Sequence, residues 1–501
     1  MARHGCVGVL GSLVAALGLA ALASGAGAAA DAPAPSWEIP AMKGWKVRAA
    51  ADAYELGKTA FRPDLDDSAW ESTDVAEGHS TFSDPYVYYR LWIDIPADWQ
   101  GKKVTAAFGR VADTCTVYVN GKVVGEHSGR DQAFDVDITA GLKPGEKNLL
   151  AVCCASGGVE CGIGKAASIA LTDELAKWRK SQEAEKEARK RAALDLNAIP
   201  YRIVYETFVD NNWELFSVKA DGSDPVNLTR TPEANELYPH VSPDGTKICF
   251  VVDEGSPRPK VRSIYYMNMD GTGRTKVADN AREACWNGDG TQIAYLKGEF
   301  EKFTYEDYAT KGAVFYDLKA GTHTEHLNPN LHHLYNLCWS PDGQWFVATV
   351  HGGMGFKHAV LAIQAHGMGV FDLGLPGCRP DLSGDGKKIA WGASDWDLCV
   401  ADIDWAGEKP VVKNRRTVVK SAEPMKVYHV DWSPDGKRVA FSRGPEIKNL
   451  GHAPEMIGIK AKGWNIAVAD PGASNVWAEI TTDGNCNKEP DWAPLPKTGG
   501  P

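Results

Sequence analysis

The chain has little of what would tie it to nucleic acid, redox chemistry or a bilayer. Its 54 Lys and Arg residues are outnumbered by 65 Asp and Glu, a formal net charge of −11. A protein that tracks a phosphate backbone needs a basic face instead. Eleven cysteines are scattered through 501 residues, with no C-x-x-C pair, haem-attachment C-x-x-C-H or zinc spacing among them. Cys153, Cys154 and Cys161 lie close enough for one local disulfide in an oxidising compartment. Cys249, Cys285, Cys338 and Cys399 sit in apolar strand patterns, where cysteine behaves as a small buried hydrophobe. Long apolar runs are missing but for Val7 to Leu22, which follows Arg3 and His4 and precedes the small residues ASGAGAAAD. That order reads as a secretory signal peptide over residues 1–30 and gives an expectation of a periplasmic or secreted protein. No Cys ends the run, and no later segment is apolar enough to cross a bilayer.

What is plentiful points to β-structure. Tryptophan, at 17, exceeds both tyrosine (16) and phenylalanine (14), and 51 glycines and 28 prolines supply turns. The length suggests two or three domains. After a Pro/Ala-rich lead-in over residues 31–39, the pattern from about Trp45 to Leu171 is of strands: YVYYRLWIDI, KVTAAFGRV, TCTVYVNGKVVGEH, FDVDIT and NLLAVCC. Asn120-Gly121 predicts a two-residue hairpin, because a type I′ turn needs positive φ at both positions. Asn120-Gly121, the Gly125-Glu126-His127-Ser128-Gly129 stretch, Phe134 to Asp137 and Leu142 to Asn148 together resemble the N-terminal sugar-binding jelly roll of family-two glycoside hydrolases. The resemblance covers residues 40–172 and implies a galactose-binding-like β-sandwich. It does not bring the hydrolases' catalytic barrel or its carboxylate pair, so glycosidase activity does not follow.

Residues 173–199 begin as DELAKWRKSQEAEKEARKRAALDLN, free of Pro and Gly and rich in helix formers. Glu185/Arg189 and Glu187/Arg191 are spaced i,i+4, as on a solvated helix. A charged spacer helix is expected, roughly 35–40 Å long at about 1.5 Å per residue. The alternative is a coiled coil using Leu175, Trp178, Leu194 and Leu196.

From Tyr201 the chain repeats. A Ser-Pro-Asp-Gly turn or its variant recurs at Ser242, Asn287, Ser340, Ser383 and Ser433, each followed by an apolar strand: TKICFVV, TQIAYLK, QWFVATV, KKIAWGA, KRVAFSR. Proline presets φ at the second turn position, Asp bonds the local backbone, and Gly takes the positive-φ site. Trp286, Trp339 and Trp432 precede three of these turns. Second hairpins follow: WELFSVKADG, SIYYMNMDG, AVFYDLKAG, GMGVFDLG, DLCVADIDWAG and NIAVADPGA. The first unit lacks its own turn-and-strand, and an orphan Glu489-Pro490-Asp491-Trp492-Ala493-Pro494 remains at the end to complete it. Residues 200–494 therefore resemble the TolB-like six-bladed β-propeller, leaving 495–501 as a tail. The fold class is all-β: jelly roll, charged helix, propeller.

Three residues before each Trp-equivalent stand Tyr238, Glu283, Asn336, Arg379, His429 and Glu489, every one polar. On innermost strands they would ring the channel mouth and cradle a polar ligand or partner loop. Two residues on, a second set reads His240, Cys285, Cys338, Asp381, Asp431 and Asp491. Seven of 13 histidines cluster between His323 and His366 (His323, His326, His332, His333, His351, His358, His366), either a metal or acid–base site or a set of surface loops. Calcium-type DxDxDG spacing is missing, so Asp135/Asp137 and Asp402/Asp404 are read as sheet-edge caps. Trp213, Trp396, Trp405, Trp464 and Trp477 are loop candidates for stacking on sugar rings. No charge relay, phosphate loop or activated nucleophile can be assembled, and no metal or cofactor is implied. The expectation is an exported, non-catalytic binding protein for carbohydrate or envelope polymer, using jelly roll and propeller mouth. A metal-assisted polysaccharide lyase, as in TolB-like oligogalacturonate lyases, and a TolB-type protein scaffold are the alternatives.

Overall fold

The computed structural model describes residues 35–494 apart from 42, 54–55, 76–80, 130–131, 158–160, 256–257 and 302. The signal-peptide reading, most of the lead-in and the C-terminal tail fall outside the described residues. The chain divides into two compact units at Glu185/Lys186.

The first unit is a β-sandwich. One sheet orders Glu38–Pro40, Cys161–Leu171, Val104–Ala112 and Gln132–Asp137, with Thr81–Phe82 also pairing with Cys161–Leu171; the other orders Glu71–Thr73, Trp45–Ala50, Tyr86–Asp94, Lys147–Ala155, Thr114–Val119 and Lys122–Ser128. Inward-facing residues such as Val87, Tyr89, Val117, Val119, Val152 and Ile169 form one core. The expected hairpin is present, with Asn120 at φ 49° and Gly121 at φ 85°.

The motifs that carry the resemblance are internal braces. Asn148 is fully buried, and its amide oxygen accepts from Asn120 Nδ2 at 2.7 Å and from the Lys143 amide at 2.8 Å. Asn120 Oδ1 accepts from the Leu149 amide at 2.9 Å. His127 stacks on Phe134, ring centroids 4.1 Å apart, and Asp137 caps the Thr139 amide at 2.9 Å. On the outer face, buried Arg90 binds Asp67 at 2.7 Å and the carbonyls of Ala60 and Arg62 at 2.6 and 2.9 Å, which pins residues 60–67 across the sheet.

All ten cysteines outside the first thirty residues are free, so the local disulfide is not formed. Strand alternation sets one of the three apart: Cys154 and Cys161 face the core, whereas neighbouring Cys153 packs with Tyr88 and Trp70 on the other face.

The helix spans Thr172–Leu194. Its apolar residues are consumed at its two ends, not by a coiled-coil seam. Leu175 is buried against Ala107 and Ala170 of the sandwich. Leu194, with Leu196 just beyond, is buried against Ile203, Ile466 and Trp492 of the second unit. In that second unit Arg191 donates to the carbonyls of Glu479 and Asp221 at 2.6 and 2.8 Å.

The second unit consists of six four-stranded sheets. Five are built in chain order; the sixth is closed by the C-terminal strand Cys486–Ala493, which pairs antiparallel with Arg202–Val209, Trp492 opposite Ile203. That is the terminal clasp the orphan segment implied. Each repeat turn works as expected: Ser433 Oγ donates to Asp435 Oδ1 at 2.7 Å and accepts the Arg438 amide at 2.9 Å, and Asn287 Oδ1 does the accepting in the variant turn. Trp286, Trp339 and Trp432 are buried between blades. One unit departs from the reading. In the fourth blade the third strand is His358–Gln364, and the GMGVFDLG segment supplies the outermost strand Val370–Asp372.

Candidate functional site

The innermost strands do not run straight to the axis. All six contain a β-bulge three residues before the Trp-equivalent, and the bulged residue is left-handed: Tyr238 (φ 48°), Glu283 (52°), Asn336 (57°), Arg379 (56°), His429 (55°) and Glu489 (50°). None is glycine, so each stores backbone strain that its surroundings must offset. The offset is visible in four of them. The bulge amide donates to an acceptor on the preceding blade: Tyr238 to Glu206 Oε2 at 2.9 Å, Asn336 to Glu283 Oε2 at 2.7 Å, Arg379 to Thr349 Oγ1 at 2.8 Å, and Glu489 to Ser442 Oγ at 3.1 Å.

The six residues expected at the mouth are therefore brought together at one level, but as a buried, mutually bonded layer instead of an open cradle. Asn336 is half-buried and the other five are buried. Arg379 binds Glu489 at 3.1 Å and Asp307 at 2.9 Å; His429 Nε2 lies 2.9 Å from Glu489 Oε1 and 2.8 Å from the Glu455 carbonyl; Asn336 donates to the Tyr238 hydroxyl at 2.9 Å. Two connecting segments cover this level. The segment between Gln292–Gly298 and Thr310–Asp317 contributes Asp307. The one between Val439–Pro445 and Asn465–Ala469 contributes Glu455 and three carbonyls, of Pro454, Met456 and Ile459, that surround the fully buried Lys488 Nζ at 3.4, 2.6 and 2.9 Å. Asp307, Glu206, Lys488 and Glu455 were not identified from the sequence. Lys488 and Glu206 lie on paired strands whose alternation could have flagged them; Asp307 and Glu455 lie in aperiodic segments that give no such signal.

Burial sets the protonation here. It pushes the Glu283 carboxyl up to about 8, with Asp307 adding to the effect, and Glu489 and Glu206 up to about 7 although Arg379 and Lys488 pull against it. Burial also holds His429 neutral, well below the usual histidine range, helped by the charges of Arg379 and Lys488. Burial works against the Arg379 cation, but Glu489 and Asp307 outweigh it.

The second set lies one step along the axis. Asp491 Oδ1 accepts the Val241 amide at 2.9 Å, Asp431 Oδ2 the Trp492 amide at 2.9 Å, and Asp381 Oδ2 the Trp432 amide at 2.8 Å. Each aspartate thus caps the next blade and faces its fellows across the axis. Burial raises Asp381 to about 6 and Asp491 to about 8, lifts Asp431 well above its ordinary value with Asp491 and Asp381 adding to the effect, and lowers His240 to about 4. The two levels line an axial cavity of about 40 Å³. That holds on the order of three waters, against roughly 300 Å³ or more for a small-molecule pocket. With its carboxyl raised to about 8, Asp491 keeps its proton at neutral pH and can donate a hydrogen bond into the cavity.

The other expected sites resolve differently. Trp213 and Trp464 are core residues, not loop platforms. Trp405 stacks on Trp345 at 5.5 Å, Trp477 lies between Lys190 and Arg443 at 4.4 and 4.9 Å, and Trp396 is partly buried. Asp402 and Asp404 pair with Lys388 and Lys413, and Asp135 with Arg179, as edge residues would. Among the described residues no group of three or more His, Cys, Asp or Glu side chains is placed to hold a metal ion. In the sandwich, Trp92 is the tryptophan with a free face, 40% exposed on the strand Tyr86–Asp94.

Residues 71–179 match the family model described as glycosyl hydrolases family 2, sugar binding domain. The chain thus joins a β-sandwich that matches this domain model to a six-bladed β-propeller. Among curated relatives, a β-galactosidase of Thermoanaerobacter pseudethanolicus is 35% identical over 103 residues, 19% of this chain and 14% of that enzyme. A β-glucuronidase of Formosa agariphila is 36% identical over 83 residues, 16% of this chain and 8% of that enzyme. The chain therefore spans only a small fraction of the length of these relatives. Among solved structures, TolB from Acinetobacter baumannii gives a TM-score of 0.45 at 17% identity, covering 63% of this chain and 73% of that one. A putative TolB from Agrobacterium tumefaciens gives 0.40 at 16%, covering 59% and 100%.

Proposed function

We propose that this chain is an exported, non-catalytic carbohydrate-binding protein in which the sandwich contacts the glycan and the propeller is a rigid platform. The observation that carries the reading is the sugar-binding-domain match over residues 71–179. The relatives sharing that segment are a β-galactosidase and β-glucuronidases, so β-galactosides and β-glucuronides are the ligand classes to test first. A pyranose presents an apolar face that suits an indole, and Trp92 is the exposed indole on the matched segment. The axial cavity is too small for a sugar ring, so the reading rests on surface contact.

The test is binding of the full chain to immobilised β-galactoside and β-glucuronide polysaccharides, beside Trp92→Ala with an unchanged melting temperature. Retention of wild type, lost in Trp92→Ala, supports the proposal. Retention of neither class removes the carbohydrate reading, and equal retention of the variant removes Trp92 from it.

A further inference from the structure

The histidine-rich stretch contains one arrangement that neither the fold nor the proposed function uses. His351 ends the strand Trp345–His351, His358 opens the strand His358–Gln364, and the two are direct partners across the antiparallel pair. Their Nδ1 atoms are 3.4 Å apart. That is long for an N–H hydrogen bond, which settles near 2.9–3.0 Å. It is the separation of two imidazole nitrogens on one tetrahedral ion, about 3.3–3.4 Å for metal–nitrogen bonds of about 2.0–2.1 Å.

The surroundings fix one lone pair at this point, on His358; the contact is then a long hydrogen bond donated by His351 Nδ1–H, and an ion binds once that proton sits on the His351 Nε2 instead. His358 Nε2 lies 2.9 Å from the Gly377 carbonyl, which can only accept, so the ring proton is on Nε2 and Nδ1 is left as an acceptor. A metal-bound histidine is oriented in the same way, by donating its other N–H to a carbonyl or carboxylate. The carbonyl is itself fixed: Gly377 has φ 87°, and a Cβ there would stand 1.9 Å from the Gly392 oxygen. The His351 ring rests against Tyr308, centroids 4.7 Å apart. The neighbouring histidines cannot substitute. His333 spends both nitrogens, on the Gly352 carbonyl and Glu299, and His332 spends its own on the Asn330 carbonyl and the Met354 amide. Both His351 and His358 are exposed, so an ion can reach them without opening the fold.

We infer that His351 and His358 form a two-imidazole site for a divalent transition metal ion of borderline softness, Zn²⁺, Ni²⁺ or Cu²⁺, with water in the remaining positions. Bound there, the ion clips the base of the loop 352–357.

Chelator-treated full-length protein titrated calorimetrically with ZnCl₂ tests this. One equivalent of Zn²⁺ should bind, and His351→Ala and His358→Ala should each weaken it by more than about tenfold, since even loss of an orienting partner costs about 10–100-fold. His351→Cys, which restores a ligand, should recover binding, and His332→Ala should leave it unchanged. Melting temperatures check folding of each variant. No zinc binding by wild type, unchanged binding in His358→Ala, or loss in His332→Ala alone would overturn the site.

Discussion

Replacing Asp491 by asparagine should stabilise the propeller, and should do so more as the pH rises. Asp491 lies on the closing strand, 7% exposed, with Oδ1 accepting the Val241 amide and Oδ2 turned toward His240, 3.9 Å away. Burial lifts its carboxyl to about 8 in the fold, and Asp431 and Asp381 are raised partly by its charge. A carboxyl raised on folding contributes most below its unfolded value near 3.9, and that contribution is lost as pH climbs toward the folded value. At pH 7, keeping this proton costs the folded state up to about 4 kcal/mol at about 1.4 kcal/mol per pH unit. Sharing of the titration among three coupled aspartates brings that to about 2 kcal/mol. Asparagine keeps an oxygen for Val241 and offers an N–H where the acid proton was. At about 2 °C per kcal/mol for a unit of this size, its melting temperature should exceed wild type by about 4 °C at pH 7–8 and match it below about pH 4. Thermal melts of both proteins across that range decide the matter. A variant that melts lower by a constant amount at every pH would show that Asp491 serves as a charged clamp between blades, and would refute the protonated ring.

Two further substitutions probe packing and the covering segment. Gly444→Ala would place a Cβ 2.2 Å from the Trp464 ring, which is fully buried, and should destabilise by about 3 kcal/mol, read as a lower denaturation midpoint. Lys488→Met should remove the cation that holds three carbonyls and leave Glu206 buried beside it, 3.7 Å from the lost Nζ; a loss of about 3 kcal/mol and faster proteolysis between residues 446 and 464 are expected.

Periodic features were legible in the sequence because each repeats the same physical requirement. The Ser-Pro-Asp-Gly turn needs a hydroxyl or amide at its first position, which is why Asn287 could stand in for serine. The clasp was legible because one unit lacked a strand and one strand lacked a unit. The two polar levels keep fixed offsets from the Trp-equivalent, which is why the residues of each gather at one height along the axis. Their burial was not legible. It depends on Asp307 and Glu455, delivered by segments without periodicity, and on left-handed residues at six positions where no glycine advertises them. Trp213 and Trp464 stand at or just before the start of a strand, where the pattern reads as loop, yet both are buried in one cluster with Ile457 and Ala461 of the covering segment. The third strand of the fourth blade was passed over because it reaches its outer neighbour through Ala365–Gly369 and not through an Asp-Gly turn.

The six bulges also bear on where recognition can occur. A left-handed non-glycine residue is tolerated when its amide finds a fixed acceptor, and in four of the six the acceptor belongs to the neighbouring blade. Blade-to-blade closure and the buried polar layer are therefore one structure. Displacing Arg379 or Glu489 toward a ligand would expose strained backbone and break the Arg379–Glu489 and His429–Glu489 contacts together. An axis so constituted favours rigidity over adaptable binding. The sandwich is braced differently: Asn120, His127, Phe134 and Asn148 hold it from within, and Trp92 stands outside those motifs on an exposed face, so the surface contact proposed for it can change without disturbing the sandwich core.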